Sequence, residues 1–347
     1  MTSQGAGKRW RSVITAVVGI VLIVAVFAFI FPQFANYQQA FTELRQMSPW
    51  WLLALFGAAV ANNLLYPLTA QAAIPHLPYR VAFTSRQVSF LVSNVIPGGG
   101  AIAAGSQYSV LATYRVATPK AAAAVTADAV WTLLITLAAP SAAILLLIAE
   151  GRSTLGYTTI AVIALLITAV VMVLTAIVLR SEDGAARIGQ VLQRPIGAAF
   201  RVIRKTPPDL STSLVAFHAQ AATMVGQRWL PLTITNLIAQ FMPMVILICA
   251  LAGLGAFPHP LSFIEVFAAF SIAILLTSVP ITPGGLGTVD AALIALLVAF
   301  GVDATTALAA DLIWRLFWTL IQLAVGLLAF GIYGWDRRRI RQHEGGP

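Results

Sequence analysis

Charge is scarce in this chain: of 347 residues only 10% are Asp, Glu, Lys or Arg, while 59% are hydrophobic. A soluble globular domain carries roughly a quarter charged residues, so a water-soluble fold is excluded. Long polar stretches are missing too. The longest runs from Arg180 to Asp209, too little for a catalytic domain of ordinary size. Cysteine is nearly absent: Cys249 stands alone in an apolar run, which rules out an intrachain disulfide and a thiolate metal cage. His76, His218, His259 and His343 are scattered without i,i+4 pairing, and no P-loop occurs. No metal, no cofactor and no built-in ATPase is therefore expected. Basic residues do not interleave with aromatics outside the apolar runs, so nucleic acid is not an expected partner.

What is present is membrane-spanning length, repeated. Apolar runs cover Val13–Phe31, Leu52–Ile74, Ala121–Ala149, Tyr157–Leu179, Trp229–Leu254 and Ala307–Tyr333, each near the 20 residues that cross a bilayer core of about 30 Å. The first follows Lys8, Arg9 and Arg11 and reads as an uncleaved span. Six spans put both termini on one side. Of the 21 Lys and Arg residues, only Arg45 and Arg152 fall on the outer side and Arg315 lies within a span; the other 18 fall inside. That bias predicts a multi-pass protein of the bacterial cytoplasmic membrane with both termini cytoplasmic.

Two apolar regions break this pattern. Phe83–Pro97, about 22 Å as helix, is followed by Gly98-Gly99-Gly100 and the short stretch Ala101–Thr113. Phe263–Pro283 leads to Gly284-Gly285-Leu286-Gly287 and Thr288–Phe300. Each reads as two half-helices meeting at a glycine-rich tip, a re-entrant hairpin tolerated at membrane depth where protein or water satisfies its backbone. The hairpins also resemble each other. Ile96-Pro97-Gly98-Gly99 matches Thr282-Pro283-Gly284-Gly285, and Val130-Trp131-Thr132-Leu133 matches Phe317-Trp318-Thr319-Leu320. Ala121–Ala124 and Ala307–Ala310 open the following spans.

The expected fold is an all-α polytopic membrane protein with six full transmembrane helices and two re-entrant helical hairpins in an inverted repeat. It forms one membrane domain over 1–347. Within it, 1–12 is the cytoplasmic N-terminus, 52–149 the first repeat with hairpin 83–113, and 229–334 the second with hairpin 263–300. A cytoplasmic amphipathic segment, 180–210, and a basic tail, 335–347, complete it. In the segment, Arg187, Arg194 and Arg201 recur beside apolar Ile188, Val191 and Leu192, as in an interfacial helix on anionic lipid, interrupted near Pro195.

Paired Pro/Gly breaks in inverted repeats are the sequence mark of a midplane site with alternating access. Packing of close helices is the plainer alternative. Pro ends the incoming half-helix, and successive glycines let several N–H groups face one cavity ahead of the positive end of the next helix. Such a tip suits a phosphate or carboxylate. Candidate path residues are Asn94, Pro97, Gly98, Gly99, Gly100, Pro283, Gly284, Gly285, Gly287 and Asp290. Asp290, in the first turn after Gly287, can cap that helix or meet a cationic head group.

Ser93–Thr132 and Ser278–Thr319 resemble the flippase-like transmembrane domain of the lysylphosphatidylglycerol synthase family. The residues carrying the likeness are Asn94-Val95-Ile96-Pro97-Gly98-Gly99, then Pro283-Gly284-Gly285-Leu286-Gly287 with Asp290, and Trp314-Arg315. The resemblance implies lipid translocation or another lipid-linked role without the soluble aminoacyl-transferring domain. Ala101–Gly105 is small and apolar where that family carries acidic and Arg residues, and Ala129 follows Asp128 where an Arg often stands. Both departures weigh against a lysyl-lipid substrate.

Ionisable residues at membrane depth are costly and mark candidate sites. Asp311 and Arg315, four apart, can pair on one helix face, as a structural tie or as a pair that opens for a head group or proton. Asp128 has no basic residue three or four positions away, which suits proton coupling or a hydrogen-bonded helix contact. Arg86, entering the first hairpin with Gln87, suits a lipid phosphate or ordinary inside anchoring. Glu265 reads as an outer-interface residue and His218 as a packing residue. The expected activity is not enzymatic: translocation of a phospholipid or lipid-linked anionic head group, downhill or coupled to an ion gradient. Membrane lipids are the expected partners. The alternative is an accessory membrane subunit for a separate lipid-modifying transferase.

Overall fold

Proline and serine set many of the boundaries along the chain. The computed structural model describes residues 37–96, 99–151, 166, 169–170, 172–202, 209–278 and 282–344. Among them every regular element is helical. The expected span 13–31 and the terminus before it lie outside the described residues, as do Pro97, Gly98 and most of the expected span 157–179, of which 172–179 is helical.

Helix α1 (Tyr37–Gln46) precedes α2 (Pro49–Leu65), which starts with proline in its first turn, where the missing N–H costs nothing. Tyr66 keeps helical angles (φ −53°, ψ −40°), but Pro67 has no N–H to carry the hydrogen-bond ladder onward. The apolar run therefore continues after Tyr66 as a separate short helix, α3 (Leu68–Ala73). The first broken unit is α4 (Tyr79–Val95) and α5 (Gly100–Thr113), packed side by side. The long α6 (Thr118–Ala149) follows.

Helix α7 (Glu182–Val202) packs along α8 (Leu210–Gly253). It continues through Pro195, contrary to the expected interruption. Arg228 leaves helical geometry at φ −130° and ψ 17°. The cause lies three residues on: Pro231 has no N–H for the Gln227 carbonyl and its ring collides with that carbonyl. The membrane-crossing part of α8 therefore begins at this kink, as Arg228–Gly253.

The second broken unit is α9 (Phe263–Leu275) with a 3-10 turn at Leu276–Ser278, a tight turn at Pro283–Gly285, and α10 (Thr288–Ala299). Helix α9 opens with a reciprocal cap: the Ser262 hydroxyl accepts from Glu265 N–H and the Glu265 carboxylate accepts from Ser262 N–H. Glu265 is therefore buried in this cap. Helix α11 (Ala304–Arg315) is capped by Asp303, passes through a π-helical turn at Leu316–Leu320 and continues as α12 (Ile321–Glu344). The expected tail from 335 is thus helical as far as Glu344.

Among the described residues four helices are long and apolar enough to cross a membrane: Pro49–Ala73, Thr118–Ala149, Arg228–Gly253 and Ala304–Ile340. They correspond to four of the six expected spans. Their contacts are made by small residues. Ala121, Ala123 and Ala124 are buried, and so are Ala307, Ala309 and Ala310, because without a hydrophobic drive in lipid, close backbone approach supplies the packing energy. Trp50 and Trp229 are exposed at helix starts and Trp335 near a helix end, where amphipathic rings favour the head-group level.

Candidate functional site

Each broken unit is tied to the long helix after it by a buried ion pair. In the first, Arg86 on α4 donates to Asp128 on α6. Both are buried, and the guanidinium lies 4.0 Å over the Tyr66 ring. In the second, Arg315 at the end of α11 donates through Nε to Asp290 on α10 at 2.5 Å. It stacks near Trp314 and Trp318, 5.0 and 5.7 Å from their centroids. Two expectations are corrected here. Asp128 has a basic partner, supplied by a different helix, and Arg315 turns to Asp290 in place of Asp311. Sequence spacing within one helix cannot show a partner that tertiary packing brings in.

A common sequence offset relates these pairs. Trp131 matches Trp318 at an offset of 187, and the same offset carries Asp128 onto Arg315. At that offset the acid stands in the first block and the base in the second, with the opposite charge supplied by the adjacent broken unit. Opposite charges at equivalent positions are invisible to a search for identical residues, but the matched tryptophans were a usable ruler.

At the second tip the glycines serve backbone geometry. Gly284, Gly285 and Gly287 have φ of 59°, 69° and 82°, a left-handed region that L side chains rarely adopt. That path turns the Gly284 and Gly285 carbonyls toward Arg315 Nη1 and Nη2, each at 3.4 Å. The second Asp290 oxygen accepts from Gly287 N–H at 2.6 Å. The positive end of α10 is thus filled by the protein's own carboxylate, so Asp290 caps its helix and anchors Arg315 at once.

The first tip differs. Gly99 has ordinary helical angles, and a Cβ there would lie 2.6 Å from the Ile96 carbonyl oxygen and 2.7 Å from that of Val92. Close approach, not torsion, requires glycine. Gly100 faces open space, and α5 has no acidic residue in its first turn. The two tips meet: the Asn94 side chain, near the end of α4, rests against Gly284, and its amide donates to the Phe90 carbonyl at 2.9 Å.

Polar side chains gather around Arg86. Gln87 donates to the Asn63 side chain and carbonyl at 3.2 Å, and Asn62 donates to Gln322 at 3.1 Å. This joins α2, α4 and α12 around a buried polar cluster. Asn62, Asn63 and Gln322 were not singled out by the sequence, though an Asn pair inside an apolar span is a legible signal. Within the cluster Arg86 Nε, Gln87 Oε1 and Asp128 Oδ1 are buried without a hydrogen-bond partner. Arg86 therefore sits in the interior and not at an aqueous mouth. His218 is a satisfied packing residue, its Nδ1 lying 2.8 Å from the Val178 carbonyl oxygen. Among the described residues no group of three or more His, Cys, Asp and Glu could hold a metal.

Long apolar helices, broken helical units and two ion pairs buried among them define a polytopic helical membrane protein. Residues 16–326 match the Lysylphosphatidylglycerol synthase TM region, and the chain belongs to that family. The family gives it a membrane lipid-related role. No curated protein and no solved structure matches the chain.

Proposed function

We propose that this protein translocates a lipid with an anionic head group across the bacterial cytoplasmic membrane, downhill or driven by an ion gradient. The two broken units act as re-entrant hairpins of an inverted repeat, within six full spans and with both termini cytoplasmic. The head group crosses where the hairpin tips meet, and the acyl chains stay in lipid. The observation that carries this reading is the set of unmatched polar atoms in the first unit, Arg86 Nε, Gln87 Oε1 and Asp128 Oδ1. A buried donor or acceptor left unpaired costs about 1–3 kcal/mol, a cost relieved when a phosphate oxygen accepts from Arg86 Nε and the water entering with it donates to Gln87 Oε1 and Asp128 Oδ1. Contact between Asn94 and Gly284 supports the placing of the path.

The test is head-group accessibility in proteoliposomes containing fluorescent phosphatidylglycerol, aminoacylated lipid or glycolipid, with an external quencher. The expected result is quenching beyond the outer-leaflet share for at least one anionic probe, and its loss in Gly100→Leu, a side chain the open space at Gly100 admits. Protection of the inner leaflet for every probe, with and without a pH gradient, would overturn autonomous translocation. The accessory-subunit role would then lead, with a co-purifying transferase as its mark.

A further inference from the structure

The cluster at the second tip holds one guanidinium and two carboxyl groups. Arg315 is committed to Asp290 and to the Gly284 and Gly285 carbonyls. Asp311, one helical turn before Arg315, is 2% exposed, and its Oδ1 has no hydrogen-bond partner. Its carboxyl lies within hydrogen-bonding reach of Asp290 and also feels Arg315. Two carboxylate oxygens cannot hydrogen-bond without a proton between them, and two like charges do not both persist at such a site.

The surroundings supply no second cation. Among the described residues, the charged groups acting on Asp311 are Asp290 from α10 and Arg315 from its own helix. Helix α1, also packed on α11, brings Glu43 and Arg45, and the packed part of α8 brings Arg228 and Cys249; among the described residues no ion pair joins any of these to Asp311. A hard metal ion is a poor occupant, since it asks for roughly six oxygen ligands.

We propose that Asp311 is a proton-binding site of this protein, and that its proton controls the lock on the second hairpin tip. With the proton in place, Asp311 donates to Asp290 and leaves Arg315 on Asp290 and the tip carbonyls. When the proton leaves for water, Asp311 becomes a second carboxylate one turn from Arg315, in the i,i+4 relation that favours pairing. The guanidinium is then drawn off the Gly284 and Gly285 carbonyls, and the tip is freed. The link from proton to head-group movement rests on the proposed translocation; the proton site itself does not.

Infrared difference spectra of the full chain in lipid nanodiscs, with labelled aspartate, separate the two. The expected result is a protonated-carboxyl band that titrates, is lost in Asp311→Asn, persists in Asp128→Asn and does not respond to sodium at fixed pH. Absence of an Asp311-dependent band, or its displacement by sodium, would overturn the site. Thermal unfolding guards against a folding artefact. Asp311→Asn, which mimics the protonated side chain, should keep the wild-type midpoint, whereas Arg315→Gln should lower it; equal losses would also overturn the assignment. In proteoliposomes Asp311→Asn, which keeps the second tip locked, should slow translocation and abolish its response to a pH gradient, and a retained response would overturn the coupling. If wild type moves no lipid, the translocation reading fails while the spectra still decide the proton site.

Discussion

At the first tip, Gly99 separates two uses of glycine that the repeated Pro-Gly-Gly disguises. A methyl group there would press on two carbonyl oxygens, and neither can yield without disturbing the end of α4. Gly99→Ala should therefore destabilise the protein by about 1–3 kcal/mol, the usual cost of overpacking, read as a lower thermal midpoint in detergent. Gly100→Ala, one residue on and facing open space, should leave the midpoint unchanged. At Arg86 the issue is charge. Arg86→Gln leaves Asp128 buried without its ion partner, and breaking one side of a buried pair costs about 3–5 kcal/mol. That variant should show sharply reduced folded yield, measured by size-exclusion chromatography. Asp128→Asn added to it removes the stranded charge and should recover much of the loss.

At the scale of elements, α5 ends in a clasp that holds the first unit to the last helix. The Tyr114 hydroxyl donates to Asp336 at 2.6 Å, and Arg80 from the start of α4 meets the same carboxylate at 2.9 and 2.8 Å. Burial first, then the hydrogen bond and charge of Asp336, push the Tyr114 hydroxyl up to about 12 from its usual 10. A raised value means that the neutral phenol stabilises the fold fully below pH 10, and that this contribution is lost as pH rises through about 12. The absorbance difference between wild type and Tyr114→Phe should titrate at that midpoint, and Asp336→Asn should bring it down.

Most elements were legible in the sequence because their causes are local: apolar length for the spans, and Pro and Gly for the breaks. The reciprocal Ser262–Glu265 cap was legible too, since a Ser followed three residues later by Glu ahead of an apolar run announces a helix start, yet Glu265 was read as an interface residue. The ion-pair partners were not legible. Asp128 finds Arg86 because that long side chain reaches α6 from α4, and Arg315 finds Asp290 because α10 lies beside α11. Likewise nothing in Pro-Gly-Gly tells which copy needs positive φ and which needs only close approach.

On the scale of the whole molecule, the two broken units meet where Asn94 rests against Gly284, and the proposed translocation crosses there. The central claim is that this point opens in turn to each side of the membrane. It is tested most directly by a cysteine at Gly100, where the added side chain has room, in a Cys249→Ala background. A membrane-impermeant thiol reagent is applied in separate experiments from the outside of intact cells and to inverted vesicles. The account predicts labelling from both sides, with labelling from one side slowed when the Asp311→Asn change holds the second tip locked. Labelling from one side alone, unaltered by that change, would contradict it.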